Sequence, residues 1–462
     1  MASNISNSAI SIDQEKFLVN KLLDRSSLRL VMGGLCDNIS MREGAGLTAY
    51  LVRYKRMNVP LATLTESVSP SQSTFALEQV TVTLDQWGDY LEISDVAQLT
   101  AKHPLMTQCV DLLADNAARV MDREITIVML AGTNVQYADG SVSSRATITS
   151  SMVISDQIVQ KVRVTMVSAG APPRGGPSSD AKQVATSGNF QNGNSYVAVC
   201  GPQVIGDVQR PSTSFGTWAS AATYANAKAL YASEVGTWQG VRFVETNFIP
   251  KFSLLGNTTT AVGSGSAFGA GVSPTVTISG AGGALATAAG GAFFKVTRKD
   301  LLRGFEEEIS IPHSTAALTG PTASVAFNFS GLTAGYVFNL YFDTVSGGGT
   351  GTDATLGLVA SNIAIGTTTT VTANPAATTN PPASLRNTLD GADPAAIHPV
   401  FVVAEAALAW AGFYKSRIMM SPTGATKDDP LAQRRTVGYK FFGKAVIKDQ
   451  TRLLRLEIAS AY

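Results

Sequence analysis

Three histidines, His103, His313 and His398, hold the widest chemical range in this sequence, and each stands beside a proline. Their separation rules out the His-x-x-x-His pair that sets two imidazoles on one helix face around a metal. Loop and helix-start positions suit all three, and a structural role outweighs catalysis, which also demands a positioned partner. Cys36, Cys109 and Cys200 form no Cys-x-x-Cys pair and no disulfide framework, so they read as buried thiols in a reducing compartment. Gly271-Val-Ser-Pro-Thr275 lacks the closing glycine of a nucleophile elbow. Gly438-Tyr-Lys-Phe-Phe-Gly443-Lys444-Ala445 keeps phosphate-loop spacing up to its last position, where Ala445 replaces the hydroxyl that would ligate magnesium. Tyr439, Phe441 and Phe442 are bulky strand formers, so a buried strand is the better reading. Glu306-Glu-Glu308 reads as a solvated charged face. Trp238-Gln-Gly-Val-Arg-Phe-Val-Glu245 mixes aromatic and charged groups, and an Arg242/Glu245 pair ordering a subunit contact is the structural reading. No catalytic site, cofactor site or metal site emerges from these residues.

The elements that would carry them change character along the chain. Asp13–Leu30 has helical spacing (Phe17, Leu18, Leu22, Leu23, Leu28) among glycine breakers, so residues 1–46 read as an arm that docks on something else. Residues 47–96 alternate, with Val80, Val82 and Leu84 against Thr81 and Thr83, and read as an extended two-stranded excursion with Ser69–Phe75 at its tip. Pro104 to Ala131 predicts a long helix, roughly 40 Å, closed by Gly132. Asp111, Asp115, Arg119, Asp122 and Arg123 populate its polar face. Residues 150–251 read as mixed α/β, with a helix over Ser155–Ser168, a buried strand at Tyr196–Cys200 and an alanine-rich helix over Ala219–Tyr231. Residues 252–395 are poor in charge and rich in small residues. Short alternating runs at Thr275–Ile278, Ser324–Phe329, Tyr336–Phe342 and Thr367–Thr372, with many aromatics, predict an inserted β-sandwich. Residues 396–427 return to the α/β body. In the remaining segment, 428–462, Thr436–Ile447 and Arg452–Ile458 read as strands paired through Lys448-Asp449-Gln450.

Composition narrows the classes. The chain has 462 residues, 35 Lys/Arg against 34 Asp/Glu, and only 15% charged residues. A net charge of +1 argues against dedicated binding to bare nucleic acid or an anionic membrane. So little charge suits a surface covered by copies of the same chain. The longest apolar stretch, Val400–Gly412, is broken by Glu405 and falls short of a bilayer span. The start lacks a positive leader and an apolar stretch, so no secretory signal is expected.

Three stretches carry a resemblance: Val80-Thr-Val-Thr-Leu-Asp-Gln-Trp-Gly88 running on to Ile93-Ser-Asp95, Gly236-Thr-Trp-Gln-Gly-Val-Arg-Phe-Val-Glu-Thr-Asn247, and Asp429-Pro-Leu-Ala-Gln-Arg-Arg-Thr-Val-Gly-Tyr-Lys440. With the order of arm, hairpin, long helix, α/β body and terminal strands, the chain resembles the major capsid proteins of tailed bacteriophages, the Hong Kong 97-like family. The resemblance covers about residues 1–250 and 396–462. It implies an α+β Hong Kong 97-like fold with N-terminal arm, extended loop, spine helix, and peripheral and axial domains, interrupted by an immunoglobulin-like sandwich. It further implies a shell of hexamers and pentamers that encloses double-stranded DNA without reading its sequence. Scaffolding, portal and decoration proteins would be the other partners. There would be no cofactor, no turnover and no membrane, and the protein would be made in the host cytoplasm and reside in the virion. Phe75, Trp87, Arg242, Glu245, Arg434 and Arg435 are the subunit-contact candidates. A β-rich adhesin-like protein recognising a glycan or receptor is the alternative.

Overall fold

A 26-residue helix organises the molecule, because its apolar stripe is covered by sheet and its neighbours attach at both ends. The computed structural model describes residues 32–42, 44, 46–54, 63, 74–101, 105–138, 142, 143, 145, 148–174, 195–209, 218–220, 233–253, 261, 262, 275–279, 285, 292–308, 313–315, 324–330, 335–343, 356–373, 396–413, 417–420, 431 and 433–461. The expected helix over Asp13–Leu30 and the ribbon tip at 69–73 lie outside these residues, as does the expected alanine-rich helix over Ala219–Tyr231 except for Ala219 and Ser220, which are strand.

After a short 3-10 turn at Met32–Leu35 come β1 (Asp37–Met41), β2 (Thr48–Tyr54), β3 (Leu77–Thr83) and β4 (Asp85–Ser94). Helices α1 (Asp95–Thr100) and α2 (Leu105–Leu130) follow, then β5 (Val135–Tyr137), α3 (Asp156–Ser168), β6 (Tyr196–Cys200) and α4 (Pro202–Gln209). The body continues with β7 (Ala219–Ser220), β8 (Glu234–Trp238), β9 (Val241–Glu245) and β10 (Phe252–Ser253). The inserted region holds β11 (Ala261–Val262), β12 (Thr275–Ser279), β13 (Phe293–Asp300), β14 (Glu306–Glu308) and β15 (His313–Thr315). It closes with β16 (Ser324–Asn328), β17 (Tyr336–Asp343), β18 (Gly357–Ile363) and β19 (Thr368–Val371). Last are β20 (Ala396–Val403), β21 (Leu408–Phe413), β22 (Arg417–Met420), β23 (Arg434–Ile447) and β24 (Leu453–Ala459).

The body is an eight-stranded sheet in the order β5-β24-β20-β6-β9-β8-β7, with β10 also on β20. Strand β6 shows why its sequence is wholly apolar: Tyr196, Ala198 and Cys200 face α3 and α4, while Val197 and Val199 face the α2 side. A strand covered on both faces needs no polar alternation. Ser155 caps α3 by accepting from Ile158 N–H, which satisfies one of the helix's orphan donors.

The second sheet holds β1-β21-β23-β22, with β4 on the free side of β23. Val437, Tyr439, Phe441 and Ala445 alternate inward along β23 onto α2. The phosphate-loop glycines are packing glycines. A Cβ on Gly443 would meet the Trp410 ring, and one on Gly438 would lie 2.9 Å from Tyr90 Cβ.

Several expectations are corrected here. Strand β4 is no part of the ribbon; it pairs with β23 from Arg434↔Ser94 to Gly443↔Asp85. The two tail strands do not pair with each other: β23 and β24 belong to different sheets. The apolar run Val400–Gly412 divides likewise, β20 joining the body and β21 the second sheet. The last part of the arm is built into the core, since β1 pairs in parallel with β21, and Met32 and Leu35 are buried near α2. Asp122, assigned to the polar face, is 2% exposed and accepts from Gly33 N–H at 3.1 Å, pinning the incoming chain to α2. His398 is no loop residue; it lies buried within β20.

The inserted strands form two sheets, β11-β15-β13-β17-β18 with β14 on β13, and β12-β16-β19. Phe294, Val296, Phe338, Leu340 and Phe342 of the first meet Val276, Val325, Phe327 and Val371 of the second in one core. Phe294 and Phe327 meet edge-to-face at 5.0 Å, the arrangement ring quadrupoles favour. The region enters and leaves at one point, where Ser253 lies opposite Ala396. Phe305 then meets Phe248 of the body edge-on at 5.4 Å.

Candidate subunit-contact surface

Strands β2 and β3 pair antiparallel from Thr48↔Thr83 to Tyr54↔Leu77, and this ribbon has two unlike faces. Alternation turns Ala49, Leu51, Val80 and Val82 inward, where with Leu84 they pack on Ala411 and Val446. Arg53 clamps the same face to the body through an ion pair with Asp449, and binds Glu78 at 2.5 Å. Burial works against ionisation of Asp449, but hydrogen bonds from Thr451 O–H, Arg53 and Thr451 N–H, with the Arg53 charge, outweigh it and hold its carboxyl below the usual range.

The other face is bare. Tyr50, Val52 and Tyr54 are 63, 52 and 68% exposed, with Leu77 at 50% and Phe75 at 67% beyond it. Phe75 meets Tyr54 of its own ribbon, with ring centroids 6.0 Å apart. Five large apolar side chains contiguous on one ribbon face form a patch that soluble monomers seldom show. Tyr50, Val52, Tyr54 and Leu77 were missed in the sequence. Their signal was there: Ala49-Tyr-Leu-Val52 is apolar in both phases of the alternation, as a strand covered on both sides would be.

The six contact candidates separate. Phe75 lies on this bare face. Trp87 is half-buried against the α2 core, with the Arg123 guanidinium 5.1 Å from its ring. The Arg242/Glu245 pair is corrected: Arg242 is buried in its own chain and lies 3.7 Å from Glu234 of β8, while three residues along a strand send Glu245 to the opposite face. Arg434 is exposed and 3.6 Å from Glu92, and Arg435 is half-buried opposite Ile93. A second exposed apolar group, Tyr90, Val96 and Leu99, lies on β4 and α1.

The buried titratable groups support packing. Burial pushes the Cys36 thiol up to about 12 and raises Cys200 as well, so neither is a ready nucleophile. Among the described residues no three His, Cys, Asp or Glu side chains group as metal ligands. A cavity of about 370 Å³ between α2, β4 and the turn after β13 is lined by Asp115–Arg119 and Asn116–Asp89 pairs together with Leu112 and Leu301. No helix among the described residues is long and apolar enough to cross a membrane. Burial, reinforced by Lys251 and opposed by Asp207, pushes His398 down to about 4, and its Nε2 is buried without a hydrogen-bond partner. In the unfolded chain this imidazole takes a proton near pH ~6.5. Acidification from that point towards pH 4 therefore costs stability, up to about 3 kcal/mol. Urea unfolding at a series of pH values is expected to show this loss in the wild type and a shallower slope in His398→Gln.

The ribbon, the long helix and the two α/β sheets make this a bacteriophage capsid-protein fold. Its chain superposes on that of the capsid of Ralstonia phage GP4 with a TM-score of 0.51 at 10% identity, over 93% of this chain and 88% of that one. The capsid of cyanophage Pam1 gives 0.48 at 10% identity over 92% and 89%, and that of cyanophage P-SCSP1u 0.44 at 8% over 94% and 89%. No protein-family model and no curated protein sequence matches the chain.

Proposed function

We propose that this chain is a major capsid protein of the Hong Kong 97-like kind, which self-assembles into the icosahedral shell around the double-stranded DNA of a tailed bacteriophage. The observation that carries this reading is a likeness to a capsid chain running through 93% of the sequence, not one domain of it. The bare ribbon face supports it, as a two-stranded ribbon is marginal alone and gains when laid on another chain. In this reading β2 and β3 are the base of the extended loop, α2 is the spine helix, the eight-stranded sheet belongs to the axial domain and the β23 sheet to the peripheral domain. The inserted region is an immunoglobulin-like sandwich. Hexamers and pentamers arise from many weak contacts that add through multivalency. DNA is enclosed and not read, and no reaction is catalysed. Phe75 and the outer ribbon face meet a neighbouring copy, with Arg434, exposed on β23, as a further contact candidate on the other sheet. Sedimentation velocity across a concentration series tests this. Capsomers or shells are expected; a single species of one chain at every concentration would overturn it.

The paired neck at Ser253 and Ala396 makes the insertion separable. Replacing residues 254–395 by Asn-Gly, the two-residue turn suited to a tight hairpin, is expected to leave a soluble chain that still forms capsomers. Complete loss of solubility would show that the sandwich is integral to the body.

A further inference from the structure

The outer face of the larger inserted sheet buries a lysine. Lys295 of β13 is 0% exposed, and Thr297, Tyr341 and Asn339 beside it are 0, 3 and 7% exposed. The register sets Lys295 opposite Tyr341 and Thr297 opposite Asn339, without a bulge between them. All four side chains therefore share the face turned away from the aromatic core, and Lys295 and Asn339 are diagonal neighbours. Such positions are about 7–8 Å apart, a span that a lysine side chain covers.

This face is set up around the carboxamide. Asn339 Oδ1 accepts from the Asn362 backbone N–H at 2.9 Å, a donor aimed at the oxygen where charge would grow if Cγ were attacked. Its amide hydrogen-bonds Tyr341 Oη, and Tyr341 O–H donates to Glu306 Oε1 at 2.8 Å. Thr297 Oγ1 donates to the same carboxylate oxygen. Glu306, expected on a solvated face, thus turns onto this layer, where its carboxylate holds the hydroxyls of the two residues that stand opposite Lys295 and Asn339. Converting the Lys295 ammonium into an amide removes a charge from this buried layer.

We infer that Lys295 and Asn339 join in an intramolecular amide link, with Glu306 as the proton carrier. Glu306 takes a proton from the Lys295 ammonium, and the free amine attacks Asn339 Cγ. The oxyanion forms on Oδ1 against the Asn362 N–H. Glu306 passes protons from the attacking to the leaving nitrogen, the Cγ–Nδ2 bond breaks, and ammonium is released. No electrons change hands and no other reactant is needed. The link ties adjacent strands inside one chain and is independent of the capsid reading.

Mass spectrometry of the intact, purified full-length chain tests this. The wild type is expected to be lighter than its sequence by one ammonia, and digestion is expected to release one branched peptide containing Lys295 and Asn339. Glu306→Gln and Asn339→Ala are expected to keep the full mass. A wild type of full mass would overturn the link, and so would ammonia loss without the branched peptide, which marks a cyclised asparagine. A branched peptide from Glu306→Gln would overturn the role of Glu306. Should that variant fail to fold, the wild-type branched peptide alone decides whether the link exists.

Discussion

Tyr50→Ser, Val52→Ser and Tyr54→Ser together are expected to abolish particle formation while leaving the melting of the isolated chain almost unchanged. The asymmetry follows from the two faces of one ribbon. All three side chains lie more than half exposed in the single chain, so folding gains little from them. In an assembly they would be buried, each contributing about 1.5–3 kcal/mol. Their loss then removes about 4.5–9 kcal/mol from each contact, a weakening of roughly a thousandfold or more. Light scattering for assembly and thermal unfolding for the chain read the two quantities separately. Unchanged assembly would show that this face is free in the particle. The inner-face change Val82→Ser should do the reverse in part, lowering stability first, because Val82 is 4% exposed in the chain itself.

Glu457→Gln is expected to lower stability by about 3–5 kcal/mol, the second large effect. Glu457 of β24 is fully buried between two arginines. Arg145 grips it with two bonds, Nε to Oε2 at 2.8 Å and Nη2 to Oε1 at 2.6 Å, and Arg455 Nε donates to Oε1 at 2.9 Å. Arg455 also donates to the Leu130 and Gly132 carbonyls at the end of α2, and the Arg145 guanidinium lies 3.8 Å from the centre of the Phe252 ring. One carboxylate thus balances a helix end, the loop near residue 145 and the neck of the insertion. With glutamine in its place two half-buried cations face a neutral amide, and the cost is that of uncompensated charge. Urea midpoints of the two proteins measure it. A difference below about 1 kcal/mol would mean the arginines relax into solvent.

Local signals carried the elements well and their pairing poorly. Periodicity placed α2 within a residue at each end, and the wholly apolar Tyr196–Cys200 was a buried strand as its composition demanded. The four alternating runs of the insertion all became strands. Pairing depends on distant partners, and β4 shows the consequence. It follows β3 after a single residue, so a ribbon was the economical reading, yet its ten residues match β23 over three hundred positions away. The tail strands misled in the same way, since Lys448-Asp449-Gln450 looks like a hairpin turn but is a crossing between sheets. Charge alone was equally ambiguous. Arg242 had acidic residues within reach on two strands, and only the sheet chose Glu234. The contact surface was half legible: Phe75 was visible as an aromatic near the tip, whereas the outward phase of Tyr50, Val52 and Tyr54 required knowing which face meets Ala411.

Electron micrographs of the purified full-length protein test the central claim most directly. Closed shells or ring-shaped capsomers are the expected result. A field of uniform particles the size of one chain, at concentrations where the ribbon face has partners available, would contradict it.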